Sequence, residues 1–232
     1  MFLLLLALPA IVYSQERKVM NRPYIDDRIW HYGFSLGLNY QDMNIINNGY
    51  PYITQEGTLE YWYADVASYT SGFSVGILGE LKLSETMALR IIPTMYFGDK
   101  QTLFSEQLSG VKREQIIRST YIAVPFDVKI SAPRYNNYRP YLITGLSPMV
   151  DLTVKKQKEM LVKRFDCMFE VGMGMDLYYP FFKLIPELKF CFGLTDILIK
   201  NRNDLTDRSL LKYTQSVSSA QNRMIVLTLY FE

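Results

Sequence analysis

Between Trp30 and Tyr40 every even position carries a large apolar or aromatic side chain, and every odd position a small or polar one. Only an extended chain sends successive side chains to opposite faces, so this stretch is a strand with one greasy face and one polar face. The rule repeats along the chain. Phe73, Val75, Ile77, Leu81 and Leu83 oppose Ser74, Gly76, Glu80 and Lys82, and Leu89, Ile91, Met95 and Phe97 oppose Ala88, Arg90, Thr94 and Gly98. Ile122, Val124, Phe126, Val128 and Ile130 oppose Tyr121, Ala123, Asp127 and Lys129. Phe165, Cys167, Phe169, Val171, Met173, Met175 and Leu177 alternate with Asp166, Met168, Glu170, Gly172, Gly174 and Asp176. Leu184, Pro186, Leu188, Phe190 and Phe192 oppose Lys183, Glu187, Lys189, Cys191 and Gly193, and the chain closes on Ile225, Leu227, Leu229 and Phe231. Residues 138–152 are strand-like in composition but alternate poorly, so their register stays open. The total is eight strands.

The connections between them, 45–72, 84–86, 98–117, 131–137, 153–164, 179–181 and 195–222, alternate long and short. An even number of antiparallel strands with short turns on one side and longer loops on the other is the pattern of a transmembrane β-barrel of the outer-membrane type. The distribution of charge over the faces separates this from a soluble barrel, which would keep its apolar face inside. Glu80, Lys82, Arg90, Asp127, Lys129, Asp166, Glu170, Glu187 and Lys189 all share the face that carries the glycines. Charge on a lipid-facing position costs about 2–4 kcal/mol at the midplane, so these residues belong in the lumen as a paired polar network. The expected fold is therefore an all-β, eight-stranded antiparallel transmembrane barrel with four long outer loops and three short periplasmic turns. Both termini would lie in the periplasm.

Apolar residues make up 49% of the chain, enough for an ordered core, and no apolar run after residue 13 approaches the roughly 20 residues of a spanning helix. The formal charge of +2 is spread over both signs, which argues against a nucleic-acid partner. Residues 1–14, a short apolar run ending in Val12-Tyr13-Ser14, read as a secretory signal peptide. Residues 15–28 follow as a charged periplasmic tail, expected to be disordered unless a partner docks on it, and 29–232 form the barrel domain. Cys167 and Cys191 fall on opposite faces and are expected to be free thiols. Pro93, Pro125, Pro140, Pro148 and Pro186 fall inside the strands, where a missing donor predicts bulges or frayed ends.

Little in the chain points to chemistry. His31 is the single histidine; it falls on the lumen face with no motif beside it, and no metal spacing or cofactor motif is visible. A lumen or rim hydrogen bond is the plain role for it, and a lipid-modifying barrel enzyme the alternative. The run containing Lys155, Lys156, Lys158, Lys163 and Arg164 is a basic outer loop, either simply solvated or facing lipid phosphates or an acidic partner. Leu227, Leu229 and Phe231 on the last strand resemble the signal read by the barrel-assembly machinery.

Three segments go beyond generic barrel character: His31-Tyr32-Gly33-Phe34-Ser35-Leu36-Gly37-Leu38-Asn39, Arg139-Pro140-Tyr141-Leu142-Ile143-Thr144-Gly145-Leu146, and Pro186-Glu187-Leu188-Lys189-Phe190-Cys191-Phe192-Gly193-Leu194. Together they resemble the PorT family, small outer-membrane barrels required by the type IX secretion system, which exports proteins with C-terminal sorting domains and supports gliding in some bacteria. The similarity spans residues 29–232, with Tyr32 where phenylalanine is expected. It implies a non-enzymatic accessory protein without a cofactor, whose partners are outer-membrane lipid, lipopolysaccharide, the barrel-assembly machinery and proteins of the secretion apparatus. An eight-stranded lumen is filled by its own side chains, so such a protein cannot be the conduit for folded cargo. A general OmpA-like structural barrel is the competing reading.

Overall fold

A computed structural model describes residues 19–54, 57–154, 159–203, 205 and 207–232. Eleven strands are hydrogen-bonded into one closed antiparallel ring, in which the first strand pairs with the last. They form eight spans. β1 (Trp30–Asn47) is the first, β4 (Trp62–Tyr69) with β5 (Ser71–Lys82) the second, β6 (Met87–Ile91) with β7 (Thr94–Glu106) the third, and β8 (Lys112–Ala123) with β9 (Phe126–Ser131) the fourth. β10 (Tyr138–Asp151), β11 (Phe165–Tyr178), β12 (Lys183–Gly193) and β13 (Val217–Phe231) complete the ring. β2 (Tyr52–Ile53) and β3 (Leu59–Glu60) form a separate two-stranded hairpin in the first long loop, and α1 (Leu211–Gln215) lies in the last.

The alternation of the sequence is the alternation of the wall. On β1, Phe34, Leu36 and Leu38 are exposed outward while His31, Ser35 and Asn39 are buried inward. Cys191 points in and Cys167 out, and both are free thiols. The open register of the fifth span is resolved: Tyr141, Ile143, Ser147, Met149 and Asp151 point inward, and Pro140, Leu142, Leu146 and Pro148 outward. Its alternation is regular. Its polarity contrast is weak because several of its inward residues are themselves apolar.

Proline breaks two spans, at Ile92-Pro93 between β6 and β7 and at Val124-Pro125 between β8 and β9, whereas Pro140, Pro148 and Pro186 sit inside continuous strands. The ring survives because proline loses a donor but keeps its carbonyl. Ile77 N–H donates to the Pro93 oxygen (3.0 Å), Ile92 N–H to that of Pro125 (3.2 Å) and Val124 N–H to that of Pro148 (3.1 Å), so neighbouring spans stay laced across both breaks.

Two expectations need correction. Three long connections are shorter than expected: 45–72 contains the end of β1, all of β4 and the start of β5, 195–222 contains the start of β13 from Val217, and 98–117 is mostly strand, since β7 runs to Glu106 and β8 starts at Lys112. Here the outward side chains include Asp99, Glu114 and Arg118, so the hairpin continues past the apolar band and the greasy-against-polar signal disappears. The tail is also not loose over its described part. Residues 19–28 fold across the short-turn mouth: Ile25 is buried, Asn21 N–H donates to Asn137 Oδ1 (2.8 Å), and Tyr178 donates its hydroxyl to Asp26 Oδ1 (2.7 Å). The Arg134 guanidinium lies 3.5 Å over the Tyr178 ring and donates to the Asn21 and Arg22 carbonyls and to Asp26. Residues 1–18, which include the segment read from sequence as a signal peptide, lie outside the described residues.

Close approach between spans explains one glycine in particular. A Cβ on Gly145 would overlap the Phe126 carbonyl oxygen and the Asp127 carboxylate, whereas one on Gly79 meets nothing nearer than the Ile91 oxygen at 3.5 Å. Gly145→Ala is expected to cost about 1–3 kcal/mol, as overpacking against backbone does, and Gly79→Ala to leave stability unchanged. Urea midpoints of the refolded barrel in detergent micelles check the contrast.

A sealed lumen as the candidate functional site

All eight spans contribute to one buried polar cluster near the short-turn end. Arg90 on β6 is fully buried. Its Nε donates to Glu80 Oε2 on β5 (2.6 Å), and its Nη1 donates to Glu187 Oε2 on β12 (2.7 Å) and to the Tyr141 hydroxyl on β10 (3.2 Å). The planar guanidinium is stacked over the Tyr141 ring at 4.7 Å, with the Tyr230 ring of β13 at 5.6 Å. Both tyrosines donate to Glu187, at 2.6 and 2.8 Å, so that carboxylate is satisfied on both oxygens. Arginine suits this position because its fork of donors reaches several acceptors at once.

The cluster extends to both sides of this hub. Lys129 on β9 pairs with Asp176 (2.8 Å) and Glu80 (3.4 Å), and Lys183 on β12 with Glu232 (2.8 Å) and Asp176 (3.7 Å). His31 on β1 closes it with Nδ1 at 2.6 Å from Glu232 Oε1. Lys189 pairs with Glu170 (2.9 Å), Asp127 (3.2 Å) and Glu187 (3.8 Å). Above this tier an apolar layer of Tyr96, Ala123, Met149, Met168, Cys191 and Met224 crosses the lumen. A smaller polar tier follows, in which Lys100 donates to the Tyr121 hydroxyl (2.6 Å) and to Asn222 Oδ1 (2.5 Å).

Seven of the nine lumen residues expected from sequence, Glu80, Arg90, Asp127, Lys129, Glu170, Glu187 and Lys189, therefore meet in one network. The other two stand apart. Lys82 lies at the short-turn rim and donates to the Asp26 carbonyl (2.6 Å), while Asp166 sits in the upper tier, accepting from Asn222 Nδ2 and Thr195 Oγ1, both at 2.6 Å. Asp176 and Lys183 belong to the network and were signalled by their parity alone. Glu232 and the Tyr141 and Tyr230 hydroxyls had no signal in the sequence, since an alternation rule assigns a face but not a partner.

The far mouth is closed by grease. Met160, Val162, Ile197, Leu198 and Tyr213, from the loops between β10 and β11 and between β12 and β13, pack onto Met43, Trp62, Phe104 and Val217 of the wall. The two loops are themselves bonded, Lys163 N–H to the Ile197 oxygen (2.7 Å) and Ile199 N–H to the Leu161 oxygen (3.0 Å). Of the basic loop, Lys163 donates its ammonium to the Asp196 carbonyl (2.7 Å) and Arg164 is exposed. Lys155, Lys156 and Lys158 lie outside the described residues. Leu227 and Leu229 on the last strand are exposed outward, and the Phe231 ring stacks on Phe34 at 4.9 Å across the β1–β13 seam. Among the described residues no group of His, Cys, Asp and Glu is arranged to hold a metal ion.

A closed antiparallel cylinder with an apolar exterior and paired charges at its axis is an outer-membrane β-barrel. The chain belongs to the outer membrane protein β-barrel domain family, whose profile matches residues 13–198. Among solved structures it is similar to Neisserial surface protein A, at 8% identity over 87% of this chain and 97% of that one, with a TM-score of 0.43. It is also similar to the attachment invasion locus protein Ail of Yersinia pestis, solved with the heparin analogue sucrose octasulfate, at 10% identity over 86% and 96% with a TM-score of 0.36. AlkL in DMPC lipid bilayers gives 12% identity over 86% and 90%, with a TM-score of 0.42. No curated protein matches the chain in sequence.

Breaking a buried pair leaves an uncompensated charge, whereas removing both partners does not. Arg90→Met is expected to destabilise the barrel by about 3–5 kcal/mol, and Arg90→Met combined with Glu80→Gln and Glu187→Gln to recover part of that loss, both read from urea unfolding in micelles. The tail is a separate unit: Arg134→Ala should raise amide exchange over residues 19–28 while the strands around Arg90 keep their protection.

Proposed function

We propose that this barrel is a non-enzymatic accessory of type IX protein secretion, working beside a larger translocon and not itself the conduit. The observation that carries the second half is the lumen, crossed by the Arg90 cluster, an apolar layer and an apolar cap. The first half rests on the resemblance of three segments to the PorT family. Those segments share a physical role here: Tyr141 of the second and Glu187 of the third are bonded at 2.6 Å, and a Cβ at Gly33 of the first would strike the Phe231 backbone. They are the residues that shape the filled interior.

In this reading the short turns and both termini face the periplasm and the long loops face outward, in lipid that includes lipopolysaccharide. Leu227, Leu229 and Phe231 are read by the assembly machinery during insertion, and the described tail and the long loops are the surfaces left to meet secretion proteins. The plain role of His31 is supported by its burial and by its place inside the network, where Glu232 is shared between its Nδ1 and Lys183.

The test is a strain lacking this chain, complemented by the intact protein, by His31→Ala, or by a variant whose 49–60 hairpin loop is replaced by a short linker. Export of a reporter carrying a C-terminal sorting domain should fail in the deletion strain and return with the intact protein and with His31→Ala. Secretion components should co-purify in mild detergent with the intact chain. Normal export in the deletion strain would replace the proposal with the general structural barrel, and loss of a lipid-modifying activity in His31→Ala would replace it with an enzyme.

A further inference from the structure

The long-loop end is capped, but not flat. A cleft of about 470 Å³ opens between the segment 48–52, which leads into the β2–β3 hairpin, and the segment from Lys200 through α1 to the start of β13. Tyr50, Pro51 and Tyr52 form one wall, Lys200 and the run Thr214–Ser218 the other, and Trp62 lies at its base. A second lobe of about 400 Å³ continues past Tyr52 and Lys212 towards Thr54, Thr58 and Arg208. Volumes of this size suit small-molecule sites.

The walls are pinned without being filled. At one end Asn48 N–H donates to the Ser216 oxygen (2.7 Å) and Asn48 Nδ2 to the Gln215 oxygen (3.1 Å). At the other, Lys212 Nζ donates to Glu60 (3.1 Å) and sits 4.6 Å over the Trp62 ring, while the Trp62 indole N–H donates to Glu60 (2.6 Å). A cleft held open from both ends is preorganised, so a ligand would not have to order it.

Its chemistry is selective. Tyr50 is 75% exposed, an aromatic surface set among side-chain hydroxyls and amides. An aromatic face beside several polar groups suits a sugar ring, which presents C–H on its faces and hydroxyls at its edge. Charge adds a second requirement. Among the described residues both acids of the two lobes are engaged, Glu60 with Trp62 and Lys212 and Asp207 with the Ser209 N–H. Lys200 and Arg208 are exposed and make no ion pair among the described residues, so both are open to an anionic group that enters the cleft. We infer that this cleft binds an acidic saccharide, a sugar chain bearing carboxylate or phosphate groups.

The full chain carries two tryptophans, so Trp30→Phe leaves Trp62 as the only indole reporter, at the base of the cleft. This variant, in detergent micelles, is titrated with the tetrasaccharide of galacturonic acid, with its methyl ester and with hexaglutamate. Saturable change in Trp62 emission with the acidic sugar is expected, about tenfold weaker with the uncharged ester, which corresponds to one lost ionic contact, and about tenfold weaker with the peptide, which keeps the charge but has no sugar ring to set on Tyr50. Lys200→Glu and Tyr50→Ser, both at exposed positions, should each weaken it by a similar factor while the unfolding midpoint stays put. Repeating the titration in nanodiscs with and without lipopolysaccharide separates the sources. If lipopolysaccharide sugars fill the cleft, their presence alone shifts the emission and blocks the soluble tetrasaccharide; if not, the tetrasaccharide binds equally in both. Absence of saturation, equal binding of the methyl ester or of hexaglutamate, or indifference to Lys200→Glu overturns the inference.

Discussion

The Arg90 guanidinium is the interaction on which the rest of the molecule depends, because it turns a ring of strands into a filled solid. A barrel in lipid has no edges to repair and no water in its wall, so its charges must go to the axis and be satisfied there. Arg90 does this for Glu80, Glu187 and Tyr141 at once, from three different spans. Each partner is held by a second bond, Glu187 to Tyr230 and Glu80 to Lys129, so no single side chain can leave without stranding another. The desolvation of such a cluster makes it poor as a source of net stability. Its effect is specificity: a one-residue shift of a span that carries one of these charges would put that charge into lipid, so the network and the apolar exterior select the same register.

The fold was legible where polarity contrast was high. On β1 and β11 the lumen face is glycine, serine and charge, and alternation alone located the strands. It failed on β10 for a reason specific to that span: Tyr141, Ile143 and Met149 belong to apolar layers of the interior, so both faces are greasy although the geometry is regular. It failed again on the β7–β8 hairpin for the opposite reason. Beyond Gly98 the outward positions no longer face lipid, and Asp99 and Gln101 outside offer little contrast with Lys100 and Thr102 inside.

The site divides in the same way. Parity gave the face of Asp127, Lys189 and their neighbours, and their common face made pairing necessary. It could not say that Asp166 lies a tier above the others, since height along the barrel follows from strand stagger and loop length. Nor could it find Glu232, which acts from just beyond the last strand, or the tail, whose binding to Asn137, Tyr178 and Arg134 joins residues more than a hundred positions apart. Signals of that kind are tertiary and leave no local period.

The two ends of the cylinder are closed by different physics, and this asymmetry bears on where function can reside. At the short-turn end the closure is polar: a strap of residues 19–28 bonded through Arg134, Asp26 and Tyr178, with Val19 and Tyr24 left exposed on its far side. Polar closure is replaceable, because water or a partner can substitute for each bond as the strap lifts. At the long-loop end the closure is apolar, with Tyr213 packed edge-on to Trp62 at 4.9 Å and against Phe104 at 5.0 Å. Exposing those rings would cost hydrophobic burial that nothing at that surface restores. The cap is therefore a fixed platform that can present a rigid cleft, and the strap is the part of the molecule whose rearrangement a partner could drive at low cost.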